Sequence, residues 1–265
     1  CVCMDDLQVD SVTFIRMICC GKAMHKHCDK SVMGSTMSLA QKNRCPECRQ
    51  NFPSSHKEMI KQVRVWVDKG KAWAQTILAH KYDDGQTGVP QSYEKAIQYY
   101  TMAVKQGDPN AMYQLAAMHG LGQGVKKSVK KAAEFIALAA HRGHATAQYS
   151  LGLSYANGRG VPQSDAKAIA LYTLAGHQGH AKAQLRLGLL YAQGKGVAES
   201  NDKAREWWLK AALQGQEEAI KKLKLLDEAE GKTTPTLPCC AACGTHETTR
   251  RPLKKCTQCH TVQYC

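Results

Sequence analysis

The sequence predicts a mainly α protein in which a solenoid of helix pairs is flanked by two small zinc-stabilised modules. The first observation is an internal repeat, because a Gly-Val pair returns four times with a period of 36 residues. The pairs are Gly88-Val89, Gly124-Val125, Gly160-Val161 and Gly196-Val197. The second is the distribution of the 13 Cys, which are confined to residues 1–48 and 239–265. Clustered Cys-x2-Cys pairs beside a Cys-free helical array indicate metal sites rather than disulfides.

Each repeat is predicted to form two helices joined by a glycine-rich turn. In the second repeat the first helix carries an apolar stripe of Ala111, Leu115 and Met118, and a run of glycines ends it. A second helix is predicted over 128–141, followed by Gly143 as a left-handed C-cap. Neither helix is long enough to be stable alone in water, so neighbouring helices must stack.

The array is predicted to have an unpaired helix at each end. Ser55 and Glu58 form a capping box that opens an amphipathic helix in front of the first repeat. After the last repeat, residues 217–230 continue the register of the first helices. We therefore predict four 36-residue repeats plus half-repeat caps over residues 54–231.

The fourth repeat carries a recognisable residue pattern. It reads Ala183-x3-Leu187-Gly188-x2-Tyr191-x2-Gly194-x-Gly196-Val197, then Lys203-Ala204-x2-Trp207-x3-Ala211-Ala212-x2-Gly215. This pattern resembles the Sel-one-like (SLR) repeat, a relative of the tetratricopeptide repeat with a longer, glycine-rich turn. The resemblance implies a right-handed α-solenoid of helix pairs that docks other proteins on its helical surface.

Two histidines recur with the repeat. His141 and His144 return as His177 and His180. Imidazoles in line could hold a metal ion, but we favour a partly exposed ladder of side chains between repeats.

The N-terminal cysteines have the spacing of zinc ligands. The pattern is Cys19-Cys20-x4-His25-x2-Cys28 followed by Cys45-Pro-Glu-Cys48-Arg49. Zinc takes four Cys or His ligands in a tetrahedron, and a Cys-x2-Cys loop presents two of them. The arrangement resembles the RING finger of Not-four-type ubiquitin ligases, with His25 in place of a Cys. The resemblance implies a module over 1–53, with one zinc on Cys3, His25 and Cys28 and another on Cys19, Cys20, Cys45 and Cys48.

The RING resemblance also implies a ubiquitin-conjugating enzyme as a partner. Val2, Pro46 and Arg49 match the positions that contact this enzyme in the family. The first ligand of the RING pattern would precede Cys1, so we expect the sequence to be a fragment. No nucleophile lies beside a recognisable base motif, so ligase activity would use no catalytic nucleophile of this chain.

The C-terminal cysteines form a third set. The pattern is Cys240-x2-Cys243, then Cys256-x2-Cys259, then Tyr264-Cys265. It resembles the first half of a MYND zinc finger over 239–265, after a linker over 232–238. The resemblance implies one zinc on Cys240, Cys243 and Cys265, a second on Cys256 and Cys259, further ligands beyond Cys265, and a short peptide as partner. Other treble-clef or ribbon zinc modules remain open.

The function predicted from these modules is that of a zinc-binding adaptor which docks protein partners on the solenoid and acts as a RING-type ubiquitin ligase. The alternative is a non-catalytic scaffold with purely structural zinc fingers. Nucleic-acid binding through the net charge of +14 is less favoured, because aromatic residues do not interleave the lysines. No apolar run reaches about 18 residues, so no membrane-spanning helix is predicted. Metal-binding thiols imply a reducing compartment, the cytoplasm or the nucleus.

Overall fold

The computed structural model describes residues 14–16, 23–25, 55–85 and 89–231. Two short strands, β1 (Phe14–Arg16) and β2 (Ala23–His25), pair antiparallel, with Phe14 opposite His25. Every other element of the described residues is an α-helix. The ten helices are α1 (His56–Asp68), α2 (Ala72–Asp84), α3 (Tyr93–Lys105), α4 (Pro109–Leu121), α5 (Val129–His141), α6 (Ala145–Asn157), α7 (Asp165–His177), α8 (Ala181–Gln193), α9 (Asn201–Ala212) and α10 (Glu217–Ala229).

The helices form a repeat solenoid, which confirms the predicted mainly α class. The pairs α2–α3, α4–α5, α6–α7 and α8–α9 are the four repeats, with α1 before them and α10 after them. The chain divides into two compact units, residues 1–148 and 149–265. In the first unit, α1 packs on α2, α2 on α3, α3 on α4 and α4 on α5. In the second unit, α7 packs on α8, α8 on α9 and α9 on α10.

A serine begins each second helix and the front helix α1. The N-caps of α3, α5, α7 and α9 are Ser92, Ser128, Ser164 and Ser200. Each hydroxyl accepts a hydrogen bond from the backbone N–H three residues later, at 3.3–3.4 Å. Ser55 does the same for α1 by accepting from the N–H of Glu58 at 3.2 Å. These caps satisfy backbone donors that the first turn of a helix leaves unpaired.

Small residues lie at the buried contacts between neighbouring helices. Ala103, Ala139, Ala175 and Ala211 recur at one register position and are all fully buried. The second helix of each repeat ends close behind them, and Gly143 follows α5 with the predicted left-handed backbone, at φ +85°. The apolar stripe predicted for α4 is also buried, since Ala111, Leu115 and Met118 are 0–4% exposed.

In the second unit, a glycine of each first helix accommodates an aromatic ring of the helix that follows. A Cβ added to Gly188 would overlap the indole of Trp208, whose Nε1–H donates to the carbonyl of Leu185 at 3.3 Å. A Cβ added to Gly152 would lie 2.7 Å from the ring of Tyr172. The ring and the missing Cβ are therefore complementary, and the close approach of these helices depends on glycine.

This complementarity gives a stability prediction. Gly188→Ala should lower the free energy of unfolding by about 1–3 kcal/mol, because the added methyl displaces a buried indole. Gly120→Ala in α4 is the matched control, because its added Cβ would meet only Ala132, at 3.7 Å. That substitution should be neutral or stabilise by up to about 1 kcal/mol through helix propensity. Urea denaturation followed by circular dichroism measures both, and equal effects would contradict the packing described.

Candidate protein-binding cleft

A cleft of about 970 Å³ lies between α1 and the residues that lead into α3. We call it the α1–α3 cleft. Its apolar lining comes from Ile60, Tyr82 and Val89, which are 6–7% exposed, and from the exposed Pro90. Volumes of about 300–1,000 Å³ with a mainly apolar lining are typical of binding sites.

Exposed cations surround this apolar lining. Lys57, Lys61 and Arg64, which we call the basic row, lie four and three residues apart on α1 and so share one side of the helix. Lys95 adds a fourth cation from the first turn of α3. None of these four forms an ion pair with another described residue. Glu58 is the acidic residue among the described lining residues.

Tyr82 contacts two of the four cations of the cleft. Its hydroxyl accepts a hydrogen bond from the Arg64 guanidinium at 3.4 Å, and the Lys95 ammonium lies 5.3 Å from the centre of its ring. Its carbonyl accepts from the backbone N–H of Ser92 at 2.8 Å, while the Ser92 hydroxyl caps the helix that carries Lys95. Arg64 and Lys95 therefore both contact a buried tyrosine, and a helix cap fixes the backbone that carries Lys95.

The lysine–tyrosine contact recurs along the array. Lys167 lies 5.2 Å from the ring centre of Tyr155, and Lys203 lies 5.3 Å from that of Tyr191. These pairs occupy the same register as Lys95 and Tyr82, so the contact belongs to the structure of the repeat. What distinguishes the cleft is the basic row of α1.

Two of the four repeated histidines, His144 and His180, cap helices, which the sequence pattern did not predict. The Nδ1 atoms of His144 and His180 accept the backbone N–H groups of Ala147 and Ala183 at 3.1 and 3.2 Å. The predicted ladder joined histidines to one another. In the structure each of these two rings instead stacks on a tyrosine, His144 on Tyr113 and His180 on Tyr149, with centroid distances of 4.8 and 4.7 Å. Asp108 caps α4 at the same register. Within residues 55–85 and 89–231, no group of three or more His, Cys, Asp or Glu could hold a metal ion.

The sequence-predicted metal ligands lie outside the described residues, apart from the backbone of His25 at the end of β2. The ligands concerned are Cys3, Cys19, Cys20, Cys28, Cys45, Cys48, Cys240, Cys243, Cys256, Cys259 and Cys265. The predicted contacts with a conjugating enzyme, Val2, Pro46 and Arg49, also lie outside them. Gly88 of the first Gly-Val pair does so as well.

The cleft was missed by sequence reasoning, although part of its signal was available. The basic row could have been read from the spacing of Lys57, Lys61 and Arg64 within a predicted helix. The prediction of that helix rested on its apolar side alone. Sequence alone did not place Tyr82 and Lys95 beside it, because they belong to two other helices.

The family of the array follows from its repeats. The Sel1 repeat model matches residues 74–108, 109–144, 145–180 and 181–216, which together exceed half of the chain. The chain belongs to the Sel1 repeat family. The matched segments each hold a first and a second helix, in agreement with the predicted period.

Solved structures share this fold. A Sel1 repeat protein from Oxalobacter formigenes is 38% identical, with a TM-score of 0.64 over 66% of this chain and 51% of that one. A protective antigen of uropathogenic Escherichia coli strains with an SLR fold is 30% identical, with a TM-score of 0.58 over 65% of this chain and 37% of that one. The chain thus spans about half and about a third of the lengths of these relatives. No curated protein matches it. None of the helices in the described part of the chain has both the length and the apolar character needed to cross a bilayer.

The capping role of His180 predicts a pH dependence. Burial, together with the charge of Lys182, lowers the pKa of His180, and an imidazole must be neutral at Nδ1 to accept the Ala183 N–H. Below about pH 6.5 the unfolded chain therefore binds more protons at His180 than the folded chain does. As the pH is lowered from this value to the pKa of His180 in the folded chain, the free energy of unfolding decreases.

His180→Asn keeps a capping oxygen that does not titrate. The loss of unfolding free energy between pH 7.5 and pH 5.5 should therefore be smaller in this variant than in the parent chain. Chemical denaturation at the two pH values measures it. His56→Asn, at an exposed position of α1, is the control and should retain the parental difference. An unchanged difference in His180→Asn would contradict the capping role.

Proposed function

We propose that this chain is an adaptor that docks protein partners on its helical array. The observation that supports the proposal is the α1–α3 cleft, where apolar side chains and exposed cations meet in one concave place. Sel1-type repeats stack so that each contacts only its neighbours, which leaves long helical surfaces available for recognition. A cleft that offers apolar area with a charged rim supplies the groups that protein interfaces use.

We further propose that the cysteine-rich flanks are zinc modules, the N-terminal one a RING-type ubiquitin ligase and the C-terminal one a MYND-type peptide binder. The ligands would be those assigned from the two resemblances, with Arg49 directly after Cys48. The pairing of β1 with β2 supports the first module, because the two strands flank Cys19 and Cys20 in the chain and β2 ends at His25. Bound zinc would supply the folding energy of segments with few apolar residues. A scaffold with structural zinc fingers remains the alternative function.

Selection from a random-peptide display library against the whole chain tests the docking proposal. Enriched peptides carrying a photo-crosslinker should attach within residues 55–231, and their scrambled versions should not bind. The heat-unfolded chain is the control for non-specific adhesion. Failure to enrich any peptide, or attachment confined to residues outside the array, would rule out docking on the helices.

Metal analysis and a ubiquitin-discharge assay test the proposal for the flanks. Cys48→Ser should reduce the zinc content, because it removes a ligand, whereas Arg49→Ala should retain zinc and lose only ubiquitin discharge. Chelation should leave the helical circular dichroism largely intact, since residues 55–231 contain no Cys. A metal-free parent chain would refute the zinc modules. A zinc-loaded chain that discharges no ubiquitin from a panel of conjugating enzymes would leave the scaffold alternative.

A further inference from the structure

We propose that the α1–α3 cleft binds an acidic peptide segment that presents an apolar side chain. This inference rests on the proposed docking function and names the class of partner. The cleft combines four exposed cations with an apolar lining that is more than nine-tenths buried at Ile60, Tyr82 and Val89. A ligand that satisfies both features must carry carboxylates beside an apolar group.

The basic row is not a feature that the repeat requires. Ser55 and Ser92 occupy the same register as helix caps, so Lys57, Lys61 and Arg64 of α1 correspond to Glu94, Gln98 and Thr101 of α3. In α9 the corresponding positions hold Asp202, Glu206 and Leu209. Helices α3 and α9 thus form with acidic, neutral or apolar residues at these three positions. The three cations of α1 are therefore not required for the helix to form or to pack in the array.

Among the described residues, carboxylates do not balance the four cations of the cleft, because Glu58 is the one acidic residue that lines it. Asp83 and Asp84 follow Tyr82 in α2, but neither lines the cleft, and Asp84 is paired with His80 at 2.8 Å. Like charges held together repel each other, and a ligand of opposite charge relieves that repulsion as it binds. The net positive charge of the rim therefore selects acidic partners and hastens their encounter.

The apolar lining favours a peptide over a nucleic acid. Single-stranded nucleic acids bind by stacking bases on open aromatic rings between backbone contacts. Tyr82 is the aromatic residue among the described lining residues, and at 6% exposure its ring is covered. Ile60, Val89 and Pro90 instead offer contacts for an aliphatic side chain, which has no counterpart in a phosphodiester backbone.

Fluorescence anisotropy on the whole chain tests this with three labelled probes. They are a short peptide in which Glu and Leu alternate, the same peptide with Lys in place of Glu, and a single strand of oligothymidine. The acidic peptide should bind most tightly, and added salt should weaken it. Lys61→Glu and Arg64→Glu should each raise its Kd by about tenfold or more. Lys221→Glu makes the same charge change at an exposed position of α10 and should leave the Kd unchanged.

Several results would overturn the acidic-peptide assignment. One is tighter binding of the basic peptide or of oligothymidine than of the acidic peptide. Another is an equal loss of affinity in Lys61→Glu and Lys221→Glu, because it would indicate diffuse charge attraction and not binding in the cleft. A chemical crosslink from Lys61 to residues 1–54, together with no peptide binding, would mean that the chain's own N-terminal segment fills the cleft. If display selection still yields peptides that attach within residues 55–231, the docking function stands and only the acidic partner fails. Unaltered circular dichroism of the variants excludes unfolding as the cause of lost binding.

Discussion

The array depends on the close approach of consecutive helices at small side chains. Helices of 12 or 13 residues gain too little from their own hydrogen bonds to persist alone in water, so contact with neighbours must stabilise them. Buried alanines at one register position permit that contact in every repeat. In the second unit a close helix contact requires a glycine opposite a large ring, because the indole of Trp208 occupies the place that a side chain at Gly188 would take. The small residues of the repeat pattern are thus requirements of packing.

The turn between the two helices of a repeat is held by several contacts. In the fourth repeat the carbonyl of Tyr191 accepts the Ser200 N–H at 2.9 Å, and the Ser200 hydroxyl accepts the Lys203 N–H at 3.3 Å. The ammonium of Lys203 then returns to the ring of Tyr191. The first repeat makes the same three contacts through Tyr82, Ser92 and Lys95, although one more residue separates Tyr82 from Ser92. The set of contacts therefore joins the last turn of the first helix to the cap of the second, and the turn between them accommodates one additional residue.

Features that depend on neighbouring residues could be predicted from the sequence, and those that join distant residues could not. The helix predicted over 128–141 is Val129–His141, and the one predicted over 217–230 is Glu217–Ala229, because caps and apolar periodicity are local signals. The role of His180 was missed because histidine is an uncommon cap, although Asp108 at the same register identified the position. The cleft needs α1, Tyr82 and Lys95 together, and that proximity follows only from the stacking. The predicted zinc ligands lie outside the described residues, apart from the backbone of His25, and stay predictions.

At the C-terminal end of the array, an arginine has a structural role. Arg205 of α9 pairs with Asp227 and Glu230 of α10 and its immediate C-terminal end, and the hydrogen bond to Asp227 raises the pKa of Arg205. Asp227 is 1% exposed, so this pair joins the last two helices in a place with little water, where an unpaired charge would be costly. At the front, Arg64 meets only the neutral hydroxyl of Tyr82 among the described residues, and the lysines beside it stay exposed. Exposed cations cost the folded chain little and keep their charge available to a partner. The same residue type thus closes the array at one end, where carboxylates neutralise it. At the other end it meets no carboxylate among the described residues, and this difference supports the proposed recognition of an acidic partner.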